Sequence, residues 1–240
     1  MNVGTDSGIA ANLERVSERI ARAAERSGRV ASDITLVAVT KTVAPERIME
    51  AIAAGVTHLG ENRVQEAEAK FAPVGPVPRA GLTLHMIGTL QRNKARRAAA
   101  LFDQMHTVDR PELAHALDAA STEKPLPVLL EVNLTGEPSK SGVSPADLPG
   151  LAGAIAGCAR LRPVGLMTIA RLGAPEGELR RTFAGLRDLL ELLRAGHPGD
   201  WRHLSMGMTG DYEIAIEEGA TIVRLGRAMF GERDAGHASG

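Results

Sequence analysis

The stretch ITLVAVTKTVAPERIMEAIAAGVTHLG, residues 34–60, carries the pattern on which the fold turns. A β-branched segment (34–39) leads into a helical stretch opened by Pro45, and a second short apolar segment (57–60) follows. Proline suits a first helical turn, because the N–H it lacks would find no acceptor inside the helix. Strand, helix and strand in that order pair in parallel through a right-handed crossover. The same alternation continues along the chain. Strand candidates recur at LTLHMIG (82–88), QMHTVD (104–109), PVLLEVN (127–133), RPVGLMTI (162–169), RHLSM (202–206) and TIVRLG (221–226), bringing the total to eight. Eight such units predict an α/β protein with a closed (β/α)8 TIM barrel, with an open doubly wound sheet as the structural alternative.

Working outward, Ile9, Leu13, Val16 and Ile20 mark one apolar stripe on an extra N-terminal helix over residues 9–27. Leu179, Phe183, Leu186, Leu190 and Leu193 repeat at helical spacing between Glu178 and Arg194. The 240 residues match the roughly 250 typical of such a barrel. No long linker divides them, so residues 1–232 read as one domain and 233–240, RDAGHASG, as a flexible tail. Residues 72–81, APVGPVPRAG, read as a surface loop.

A net charge of −1 and an aromatic content of 2% argue against nucleic acid as a partner. No basic segment with an apolar run opens the chain, and no stretch approaches the length of a membrane span, so a cytoplasmic protein without membrane attachment is expected. Cys158 is the only cysteine, which excludes an internal disulfide and a multi-thiolate metal site. It lies in AGAIAGCARL and reads as a small buried side chain.

In a barrel, function gathers where strands end and βα loops begin. Lys41 follows the first strand directly. Low-dielectric walls reduce an amine's preference for the charged form, and a neutral amine can attack an aldehyde. After the second strand come Gly60, Glu61 and Asn62, where a helix cap explains the segment as well as a pocket does. His85 sits inside the third strand, and a histidine so placed is more often a hydrogen-bonded core residue than a base. Arg92, Lys94, Arg96 and Arg97 beyond it read as a solvated basic face. The strongest signal is HLSMGMTGDYEIAIEEG with TIVRLGRAMFGER. Ser205, Gly207 and Thr209 precede a helix and Gly226 with Arg227 forms a second turn, the paired arrangement after strands seven and eight at which barrels bind phosphate. Motifs for dinucleotides, nucleotides, zinc proteases and serine hydrolases are missing from the sequence.

Together, LVAVTK, HLGENRVQE, LHMIGTLQRNK, HTVDR, EVNLTGEPSKSG, GLMTI, LSMGMTGDYEIAIEEGAT and VRLGRAMFG resemble the YggS/PROSC family of pyridoxal-phosphate homeostasis proteins, in order over about residues 36–231. The resemblance implies a fold-type III barrel like the alanine racemase N-terminal domain, with pyridoxal 5′-phosphate (PLP) as a Schiff base on Lys41. It further implies that Ser205, Met208, Thr209, Gly226 and Arg227 surround the phosphate and that Arg224 faces the pyridine nitrogen. Asn62 and His85 match other pocket positions, and Lys140 matches a recurrent lysine of open role. Thr209 stands where the family usually has serine. Arg227 stands where it often has threonine or serine, so only a backbone contact carries over there.

A permanent cation beside the pyridine nitrogen opposes its protonation and weakens the ring as an electron sink. The expected function is therefore a monomeric, non-enzymatic carrier that buffers PLP or delivers it to PLP-dependent apoenzymes. A racemase-like enzyme is the alternative, though such enzymes draw a catalytic tyrosine from a further domain and Tyr212 is the only tyrosine here. A Schiff-base aldolase is less favoured, since its lysine typically lies on a later strand.

Overall fold

The computed structural model describes residues 8–71, 81–121, 124–137 and 140–231. Residues 233–240 and nearly all of the 72–81 segment lie outside it. Eight strands, β1 (Thr35–Val39), β2 (His58–Glu61), β3 (Thr83–Met86), β4 (Gln104–Val108), β5 (Leu126–Glu131), β6 (Leu161–Met167), β7 (His203–Ser205) and β8 (Ile222–Leu225), close in sequence order into one barrel. Every neighbouring pair is parallel, and β1 pairs with β8 through Val37 opposite Arg224. The closed barrel replaces the open-sheet alternative.

The helices alternate with the strands: α1 (Ile9–Arg26), α2 (Pro45–Ala53), α3 (Val64–Phe71), α4 (Ala95–Leu101), α5 (Pro111–Ala120), α6 (Leu148–Ala156), α7 (Glu176–Gly196), α8 (Tyr212–Glu217) and α9 (Arg227–Phe230). Pro45 and Pro111 each open a helix. The five leucine and phenylalanine positions expected in α7 are all buried. α1 buries Ile9, Val16 and Ile20 and packs on α8 and α9, where Asn12 donates from Nδ2 to the Met229 carbonyl at 2.9 Å. Cys158 is buried just beyond the end of α6, its thiol 3.5 Å from the Ala154 carbonyl.

The outer layer of the core lies between helices and strands, whereas the bore holds a small apolar group, Val37, Leu129, Val164, Met167 and Ile222. Two glycines let the bore form. A Cβ on Gly60 would sit 2.8 Å from Val37 Cγ1, and one on Gly165 would sit 2.0 Å from the His203 carbonyl oxygen of β7. No helix among the described residues is long and apolar enough to cross a membrane.

Candidate functional site

Lys41 lies half-buried in the turn after β1, past a fully buried Thr40. The next residue, Thr42, has φ +60°, a left-handed conformation that costs a threonine about 1 kcal/mol. That turn is anchored from α3. Thr42 N–H donates to Glu66 Oε1 at 2.6 Å, and Lys70 Nζ donates to Thr40 O (2.5 Å), Glu61 Oε1 (2.9 Å) and Glu66 Oε1 (2.7 Å). Thr40 Oγ1 adds a bond to Glu61 Oε1 at 2.7 Å. Burial pushes the Glu61 carboxyl above its ordinary value, with Lys70 and Thr40 pulling it part of the way back. At Glu66 burial pulls upward too, but Lys70 and the Thr42 N–H prevail and hold it low. Among the described residues Lys41 Nζ itself makes no ion pair.

Across the β1–β8 seam lie the two turns singled out in the sequence. Gly207 has φ +95°, and a Cβ there would come within 2.7 Å of Ala215 Cβ on α8, so only glycine permits this close turn. Met208 N–H donates to Asp211 Oδ1 at 2.6 Å, Arg224 N–H to Gly207 O at 3.0 Å and Ala228 N–H to Thr209 Oγ1 at 3.4 Å, which ties the two turns together. A Cβ on Gly226 would lie 3.6 Å from Val39 Cβ. The phosphate-type turns and the Lys41 turn therefore border one mouth. Arg227 is exposed and Met208 and Thr209 are half-buried.

Below this mouth the bore also holds polar side chains. Arg224 is 4% exposed; its Nη1 donates to Ser205 Oγ at 2.6 Å and its Nη2 to Thr168 O at 3.0 Å. Ser205 is the last residue of β7, and its hydroxyl points into the bore rather than into the turn that follows. There it meets His106 Nδ1 at 2.9 Å, His106 Nε2 meets His85 Nδ1 at 2.9 Å, and His85 Nε2 meets His58 Nδ1 at 2.9 Å. Burial, reinforced by neighbouring rings, pushes His85 down to about 3 and His106 well below the ordinary range; burial also lowers His58. Burial lowers Arg224 to about 10, opposed by Glu131 and Asp211, so it stays a cation at neutral pH. Glu131, at the end of β5, is 5% exposed and its Oε2 has no partner among the described residues. Burial first, then Asp109, raises its carboxyl to about 7 against the pull of Arg224.

The structure thus gathers Lys41, Thr209, Gly226 and Arg224 around one end of the barrel. It places Ser205 and His85 behind Arg224, and Asn62 half-buried just past β2, where a Cβ on Gly88 would meet the Asn62 carbonyl oxygen at 2.3 Å. Lys140 pairs with Glu137 at 2.7 Å in the loop after β5. Sequence reasoning missed His58 and His106, Glu131 and the Lys70 anchor. The histidines had left a signal, one each in strands two, three and four, which register turns to the same bore.

A family model described as alanine racemase, N-terminal domain, matches residues 11–234. The chain is 44% identical over 232 residues to the pyridoxal phosphate homeostasis protein of Pseudomonas aeruginosa, spanning 96% of this chain and 98% of that one. It is 44% identical over 231 residues to the protein of the same name from Escherichia coli K12, spanning 94% and 97%. Among solved structures, PipY of Synechococcus elongatus with PLP bound superposes with a TM-score of 0.82 at 37% identity, covering 93% of this chain and 100% of that one.

Proposed function

We infer the function from kinship: the chain belongs to the family of pyridoxal phosphate homeostasis proteins, built on the alanine racemase N-terminal domain. It binds PLP, holds it as a Schiff base on Lys41, and buffers the cofactor or delivers it to apoenzymes. It works as a monomer in the cytoplasm. The observation that carries this reading is the meeting of the Lys41 turn with the paired turns after β7 and β8, through Val39 against Gly226.

The residues fit the cofactor. Bound PLP supplies an aldehyde that condenses with an amine, on an electron-withdrawing pyridine ring carrying a phosphate. Lys41 provides an amine on an anchored backbone. Met208, the Thr209 hydroxyl and the backbone of Gly226 and Arg227 take the phosphate, a role for which helix-opening turns are suited. Arg224 faces the pyridine nitrogen, Asn62 borders the pocket, and Ser205 and His85 act through Arg224 rather than by direct contact. As a fixed cation Arg224 opposes protonation of that nitrogen, so the chain holds the cofactor without driving turnover. In purified protein titrated with PLP, an imine absorbance band distinct from that of free PLP should appear and be shifted by borohydride reduction, and it should be absent in Lys41→Ala. A wild-type mixture whose spectrum is that of free PLP alone rules the reading out.

One observation favours a second reading, a racemase-like enzyme. Glu131, with its carboxyl raised to about 7 at the same mouth, is placed and poised as a general acid or base. Deuterium exchange at the α-carbon of added amino acids decides between the two: enzyme-like rates that vanish in Glu131→Gln would replace the carrier with a catalyst.

A further inference from the structure

Arg224 is held by something more ordered than a pair of hydrogen bonds. Its guanidinium can only donate. Ser205 Oγ, 2.6 Å from Nη1, must therefore accept, and the hydroxyl proton needs an acceptor of its own. Among the described residues the other side-chain atom within reach is His106 Nδ1 at 2.9 Å. If His106 instead donated from Nδ1, the serine proton would be buried without a partner, at a site with no exposed surface.

With Nδ1 accepting, the proton of a neutral His106 sits on Nε2 and points at His85 Nδ1, 2.9 Å away. The two rings are edge-on, with an interplanar angle of 90° and centroids 5.0 Å apart, an arrangement that an in-plane N–H donating to an in-plane lone pair allows. His85 then carries its own proton on Nε2 and gives it to His58 Nδ1 at 2.9 Å. His58 opens β2 and is half-buried at the N-terminal end of the barrel, opposite the mouth. Charging either inner ring would place a second cation in the bore with Arg224, and burial opposes this too.

We propose that Ser205, His106 and His85 are positioning residues for Arg224: a one-way file of neutral imidazoles, each protonated on Nε2, fixes the guanidinium plane through the Ser205 hydroxyl. The proposal rests on the reading of Arg224 as the residue facing the pyridine nitrogen, and it deepens that reading by naming what aims the guanidinium. The file runs from β7 to β2, so the cation is set by β2, β3, β4 and β7 together rather than by its own strand.

Nitrogen-detected NMR of the full chain, uniformly labelled with 15N, reads the tautomers directly, before and after addition of PLP. The expected result is three histidines with an unprotonated Nδ1 and a protonated Nε2, those of His85 and His106 unchanged between pH 5.5 and 8.5. Ser205→Ala should release the direction of the file, mixing the His106 tautomers. In the same variant the absorbance band of bound PLP should shift and its affinity fall about tenfold. A protonated Nδ1 on His106 in wild type overturns the proposal, as does an imidazolium at His85 or His106. So does a Ser205→Ala protein whose His106 signals and PLP spectrum match wild type. If that variant does not fold, the wild-type tautomers decide alone. If PLP does not bind wild type, the functional reading falls while the tautomers still decide the direction of the file.

Discussion

Two cations face the same mouth, and the chain supports them by opposite means. Behind Lys41 stands an ionic anchor, in which Lys70 joins two carboxylates and a backbone carbonyl and holds the turn but not the Lys41 amine. Behind Arg224 stands a file of uncharged groups that grips the side chain itself. A lysine that must reach a reaction partner gains from a fixed backbone and a mobile side chain. An arginine that must present one face gains from a fixed side chain. Charges serve the first purpose because Lys70 lies at the bore's edge; neutral rings serve the second because another charge beside Arg224 would be repelled or left unpaired.

The largest break in this comparison is removal of a cation. Lys41→Ala should abolish the borohydride-sensitive imine absorbance completely while leaving circular dichroism and the urea midpoint unchanged, since the anchor bonds to backbone rather than to the side chain. Next comes the anchor. Lys70→Met leaves Glu61 and Glu66 without their shared cation, and urea unfolding should show a loss of about 3 kcal/mol, the usual scale for breaking a mostly buried pair from one side. Slower Schiff-base formation by the variant would tie the anchor to Lys41.

An effect of similar size sharpens the contrast through pH. The folded value of Glu131 lies above its unfolded one, so the group contributes stability while protonated and that contribution is lost as pH rises through about 7. Glu131→Gln should then gain about 3 kcal/mol at pH 8 and less than about 1 kcal/mol at pH 5. The histidines work the other way. Their folded values lie below the unfolded ones, so their contribution is present above about pH 6.5 and lost as pH falls. Between pH 7 and 5.5, proton uptake by His85 and His106 in the unfolded chain should together cost about 2 to 3 kcal/mol while protonation of Glu131 returns about 1 to 2 kcal/mol. Wild type should thus weaken by about 1 kcal/mol over that interval, and Glu131→Gln between about two and three times as steeply. The smallest effect belongs to the surface: Arg171→Ala, which removes an exposed pair with Glu178, should leave the urea midpoint nearly unchanged.

The barrel was legible because alternation is a local property. Strands such as 34–39 and 162–169 announce themselves by β-branched runs, and each appears within two residues of its expected place. The mouth was legible for a related reason, since Lys41, Thr209 and Gly226 follow strand ends. The support behind it was not. His58, His85 and His106 are separated by 27 and 21 positions, and only the closing register turns them toward one another. Ser205 was expected in the turn with Gly207 and Thr209, but being the final residue of β7 directs its hydroxyl inward. Lys70 resembles any solvated helix charge until α3 packs beside the Lys41 turn.

The docking of α1 has a consequence for the order in which this chain can be completed. Its apolar stripe rests on α8 and α9, and Asn12 bonds a carbonyl 217 positions away. During synthesis α1 emerges long before α8 and α9, so Ile9, Val16 and Ile20 stay uncovered until nearly the whole barrel has been made. A nascent chain of this kind presents a sticky helix while the barrel is still being made, and a chaperone that shields such helices would have its longest engagement at α1.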